Sequence, residues 1–78
     1  MTQTYGEKAV GLSFNPSNDS AVDRVKRLYA EIIDFCDEQR AQAFAGYDTP
    51  ERARLFSIAI TEAQTAQMWA VKAITWKD

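Results

Sequence analysis

An all-α architecture is expected of this 78-residue chain: a two-helix antiparallel hairpin with an extended N-terminal arm, assembling into a helical homo-oligomer. Three observations lead there. From Ala21 onward apolar residues recur at alternating steps of three and four, the spacing of one face of an α-helix. Alanines repeat at the same steps in the last third of the chain. Between the two tracts lie Gly46, which can end a helix in a left-handed conformation, and Thr49-Pro50-Glu51, which can start another.

The expectation of self-association comes from size. With 46% hydrophobic and 26% charged residues, the chain has globular rather than disordered composition. Residues 1–78 make one domain, and a chain this short hides only roughly 60% of the surface it exposes when unfolded. Small domains usually add disulfides, a structural metal or subunit contacts. The lone Cys36 cannot form an internal disulfide, and with no histidine the ordinary zinc sites are excluded. Oligomerisation is what remains.

Taking the elements in order, residues 1–19 contain Gly6, Gly11, Pro16 and small polar residues, with Val10, Leu12 and Phe14 alternating between them, and are expected to form an extended arm. The run Asn15 to Ser20 is turn-forming, and Ser20 with Asp23 resembles a capping box, so the first helix is expected over 20–45. Its seam is expected to be Val22, Val25, Tyr29, Ile32 and Cys36. Leu28, Ile33 and Phe35 fall off that stripe and imply a second contact, with another subunit. The second helix is expected over 50–75. It has a close-packing stripe of Ala59, Ala63, Ala66, Ala70 and Ala73, and a circumference too apolar for one face to lie in water. Trp69 is expected to fill a core or an interface. Thr61, Glu62, Gln64, Thr65 and Gln67 form its polar part, suited to bonding one another or a partner.

Catalysis is not expected. The chain lacks histidine, a Gly-rich phosphate loop and any metal-ligand cluster, so neither catalytic residues nor a cofactor are assigned. Cys36 on the seam reads as an inert small hydrophobe, and Glu31, Asp34, Asp37 and Glu38 as a solvated acidic face. A net charge of −2 argues against DNA as a partner. With no signal-like start and no apolar run of the ~20 residues a membrane span needs, a cytoplasmic location without membrane contact is expected.

One basic cluster stands out: Arg24, Lys26 and Arg27, close to a helix start, where outward N–H groups favour anions. Lysine offers a compact ammonium to a phosphate oxygen, and Phe14 upstream offers a face on which a base can stack. The bland alternative is that Phe14 folds back on the helix while Lys26 only solvates the surface.

The segments Gly11-Leu12-Ser13-Phe14-Asn15-Pro16-Ser17, Val22 to Ala30 and Phe56 to Ile74 resemble the phage anti-CBASS cyclic-nucleotide sponges and the hairpin domain they share with anti-Thoeris sponges. The stretch Thr61 to Ile74 is the most specific part. The resemblance implies a helical hexamer that sequesters cyclic dinucleotides between subunits without cleaving them. An aromatic of the arm stacks on a base and a first-helix lysine meets a phosphate. Phe14 and Lys26 match those roles, with Asn15, Ser17 and Arg27 completing the candidate ligand-binding set. Cyclic trinucleotides at separate sites are also implied, for which Arg52 and Arg54 are candidates that no motif fixes. Phe14 stands where tyrosine is often found, which keeps stacking but not a phenolic hydrogen bond. The competing reading is an assembly or adaptor protein whose apolar helix faces bind another polypeptide.

Overall fold

The computed structural model describes residues 2–45 and 50–78. Three helices run through them: α1 (Tyr5–Val10), α2 (Ser20–Ala45) and α3 (Pro50–Ile74). The stop expected at Gly46 and the cap expected at Thr49 lie outside the described residues. Arg40 Nη1 donates to Ser57 Oγ at 3.1 Å near one end of the α2–α3 pair. Val22 shares a cleft with Val71 and Thr75 near the other end, so the two long helices form an antiparallel hairpin.

The arm is not extended. Its first half is α1, and the sequence Thr4-Tyr5-Gly6-Glu7 explains why. Thr4 Oγ1 accepts from the Glu7 N–H at 3.1 Å while Glu7 Oε1 accepts from the Thr4 N–H at 2.8 Å, a reciprocal capping box. Gly11, at φ +64°, ends the helix. Its N–H donates to the Lys8 carbonyl at 3.1 Å and that of Leu12 to the Glu7 carbonyl at 2.9 Å, the paired bonds of a Schellman turn. A six-residue helix has no stability of its own, and α1 gains it by lying on α2 backbone to backbone. The Gly6 N–H donates to Asp34 Oδ1 at 2.7 Å, and a Cβ at position 6 would stand 2.2 Å from the Ala30 carbonyl oxygen.

Helix α2 begins at residue 20 as expected, but its cap is one residue earlier than the expected one. Asp19, not Ser20, caps it: the Asp19 carboxylate accepts from the Ala21 N–H at 2.8 Å, and its carbonyl takes the N–H groups of Val22 and Asp23.

On α2 the expected seam is partly displaced. Val22 and Cys36 are buried as expected, but the most enclosed residue is Ile33, 0% exposed, while Ile32 faces solvent. The reason is that α2 has two neighbours. With α3 against one flank and α1 against the next, the covered face turns to take in Lys26, Ala30 and Ile33. On α3 the buried residues are Ala53, Ile60, Ala63 and Gln67, so only Ala63 of the alanine stripe is fully enclosed, and Ala59 and Ala73 are exposed. The larger Ile60 instead joins Val10, Ala30, Ile33, Cys36 and Ala63 in one core, flanked by Leu12, Tyr29 and Phe56. Burying a side chain the size of Ile33 contributes about 1.5–3 kcal/mol.

Arg40 ties the three helices at the far end. It bonds Asp37 on α2 at 2.8 Å and Ser57 on α3, and lies 5.7 Å from the ring centre of Tyr5 on α1. The acidic residues expected to form a solvated face are thus partly committed, Asp34 to Gly6 and Asp37 to Arg40.

The chain measures 50 × 31 × 12 Å, a layer about as thick as one helix. Such a layer has two broad faces. Leu28, Ile32 and Phe35 on α2, and Leu55, Ile58, Met68 and Trp69 on α3, are exposed. Trp69 is therefore not a core residue; it carries the Lys72 ammonium 5.6 Å from its ring centre.

Candidate functional site

The Schellman turn at Gly11 leaves backbone carbonyls at the end of α1 turned toward α2, where a cation is favoured. Lys26, on the buried side of α2, supplies it. Its Nζ donates to the Gly11 carbonyl at 2.9 Å and to the Phe14 carbonyl, and lies 5.6 Å from the centre of the Phe14 ring. Lys26 is only 5% exposed and has no ion-pair partner among the described residues. An ammonium has three donors, and the carbonyls take two. The bland expectation of a solvated surface lysine fails, because the α1 turn encloses it.

Phe14 itself is 70% exposed. One side of its ring meets the Lys26 ammonium, and the side chain otherwise faces solvent. The turn that follows is built from its own side chains. Ser17 Oγ donates to Asn15 Oδ1 at 2.7 Å, Asn15 Nδ2 to the Asp19 carbonyl at 3.0 Å, and the Asp19 N–H to Ser17 Oγ at 3.3 Å. Asn18 takes a positive φ of 58°, which asparagine tolerates.

Two clefts meet at Lys26. One, of about 270 Å³, is lined by Phe14, Asn15, Ser17, Lys26, Val71 and Thr75 among others. The second, of about 510 Å³, opens between α1 and α3 and shares Lys26 and Val71 with the first. No carboxylate lines either one. Together they can admit an anion with an attached flat ring.

Four of the candidate residues, Phe14, Asn15, Ser17 and Lys26, are thus brought together. Arg27 is not: it points to a different depression, lined by Asp19 and Asp23, and its Nε donates to Asp23 at 2.9 Å. That hydrogen bond and the adjacent charge hold the guanidinium above its ordinary pKa. Arg52 and Arg54 lie at the start of α3, about 25–28 Å along the helix from Val71 at 1.5 Å per residue. Arg54 grips Glu51 through Nε at 2.8 Å and Nη2 at 2.7 Å, and this bond depresses the Glu51 pKa and raises that of Arg54. Arg52 lies 5.9 Å from the Phe56 ring centre.

The sequence reading put Gln64 and Gln67 in an undifferentiated polar part of α3. Both line the larger cleft, and Gln67 is 5% exposed. The available signal was register: Ile60, Ala63 and Gln67 follow one another at three and four residues, so a glutamine occupies a core position.

No helix among the described residues is long and apolar enough to cross a membrane, and no cluster of potential metal ligands is found among them. A family model described as the Acb2/Tad1 hairpin domain matches residues 7–75. No curated protein and no solved structure matches the chain.

Proposed function

The chain belongs to the Acb2/Tad1 hairpin family, the anti-CBASS and anti-Thoeris sponges that bind signalling molecules, and from that premise we propose that it sequesters cyclic oligonucleotide immune messengers without cleaving them. The preferred class is the cyclic dinucleotides, such as cyclic GMP-AMP. Their capture in the cytoplasm of an infected cell withholds them from the effectors they would activate.

The observation that carries this reading is Lys26. A buried ammonium with a donor to spare, no carboxylate lining its clefts and an aromatic ring beside it favours a phosphate joined to a base. Charge-assisted bonds to phosphate are among the strongest hydrogen bonds available, and the Phe14 ring supplies a stacking face. Asn15 and Ser17 shape the turn that carries that ring. A cyclic dinucleotide has two phosphates, so two symmetry-related copies of Lys26 meet both, and one subunit offers half a site. The exposed apolar faces of the thin layer support a homo-oligomer, with a hexamer as the expected form. Cyclic trinucleotides near Arg52 and Arg54 are the secondary assignment, with Arg27 at most peripheral because Asp23 holds it.

The exposed Leu28, Ile32 and Phe35 favour one other reading, an adaptor that binds a second polypeptide. Native mass spectrometry with a panel of cyclic di- and trinucleotides separates the two. A sponge yields an oligomer carrying intact ligand, released unchanged on heating, and Lys26→Met, which keeps the side chain's bulk without its charge, loses cyclic dinucleotide binding. A folded protein that takes up no ring, or a ligand recovered hydrolysed, would rule the sponge out.

A further inference from the structure

Gln67 has the most unusual environment of any polar side chain described. It sits on the core side of α3, 5% exposed, yet its carboxamide makes no hydrogen bond among the described residues. Among the described residues no side-chain nitrogen or oxygen is sealed from solvent without a partner, so the carboxamide keeps its remaining exposure toward the cleft it lines. Beside it Gln64 reaches the Ala9 carbonyl only at 3.5 Å. Both line the 510 Å³ cleft between α1 and α3, together with Val71 and Lys26. This open cleft sets the polar ends of Lys26, Gln64 and Gln67 beside apolar Val10, Met68 and Val71, a mixture suited to the edge of a flat polar ring.

We propose that Gln67, assisted by Gln64, is the base-reading element of this protein and selects adenine. A carboxamide presents one acceptor and one donor side by side, which match the exocyclic amine and ring N7 of adenine in a bidentate pair. Guanine offers two acceptors on that edge, so one of its oxygens or nitrogens would face the carboxamide oxygen. Lys26 borders this cleft and the Phe14 cleft alike. A nucleotide phosphate held at its ammonium therefore has one base position over Phe14 and another against Gln67. The inference rests on the sponge reading above and adds the identity of the base.

The test compares 3′,3′-cyclic di-AMP with 3′,3′-cyclic di-GMP by isothermal titration calorimetry on the full chain, for wild type and for Gln67→Met, a change that keeps volume and removes both polar atoms. Wild type is expected to bind cyclic di-AMP at least about tenfold more tightly than cyclic di-GMP, in line with the discrimination a bidentate pair provides. Gln67→Met is expected to erase that preference, to still bind cyclic di-GMP, and to keep a melting temperature close to that of wild type, as volume-conserving changes usually do. Equal wild-type affinity for the two rings overturns the assignment of Gln67 and leaves the sponge intact, as does a preference that persists in Gln67→Met. If Gln67→Met sediments as a smaller species than wild type, the carboxamide belongs to a subunit contact and the assignment is also overturned. Binding of neither ring, nor of any other cyclic nucleotide, overturns this inference together with the sponge reading.

Discussion

In the proposed site Phe14 faces solvent and Lys26 does not, so their variants should behave differently. Phe14→Ala removes an exposed ring, so the melting temperature should move little, within the ~0.5 kcal/mol of ordinary surface changes. Cyclic dinucleotide affinity, measured by calorimetry, should fall about five- to 150-fold, the equivalent of about 1–3 kcal/mol per stacked base. Phe14→Tyr should retain it. The pairing of these two residues was visible in the sequence through family resemblance, but the burial of Lys26 was not. It depends on carbonyls 12 and 15 residues away that only the Gly11 turn brings within reach. Gln67 was hidden for the opposite reason: its register was readable, but a glutamine in a polar stretch carries no mark of the cleft it lines.

Helices α2 and α3 were legible because 26 and 25 residues repeat a helical period several times over. Their registers were read less well, since periodicity reports how apolar residues are spaced, not how many neighbours share them. Ile32 and Ile33 exchanged places once α1 was packed against α2. That short helix escaped the reading altogether. Six residues span fewer than two turns, and the alternation of Val10, Leu12 and Phe14 imitated a strand, although Thr4 and Glu7 already spelled a helix start. Gly6 is where α1 depends on a single atom. Gly6→Ala would place a methyl group against the Ala30 carbonyl and the Asp34 carboxylate, forcing α1 off α2. The expected cost is about 1–3 kcal/mol, the usual penalty of overpacking. Thermal unfolding should report it, together with faster amide exchange over residues 5–10. Ligand affinity should fall too, because the Gly11 carbonyl that holds Lys26 moves with α1.

Seen as a solid, the protein is a plate whose two faces cannot both be content in water. Leu28, Ile32 and Phe35 project from α2 away from the α3 contact, with Phe35 58% exposed. Replacing Ile32 and Phe35 together by serine should shift the sedimenting species toward the monomer, because each large apolar side chain withdrawn from water contributes about 1.5–3 kcal/mol. An unchanged sedimentation profile would transfer the subunit contact to the α3 face bearing Leu55, Ile58 and Trp69. The lone thiol and the missing histidines led to the expectation of assembly, and the exposed apolar side chains on the thin plate are what the proposed oligomer would cover. The carbonyl cradle around Lys26 has a kinetic corollary. Because folding itself strips much of the ammonium's hydration, an arriving phosphate has little water to displace there, and the rate of capture should be set by encounter and by any yielding of the turn that encloses it.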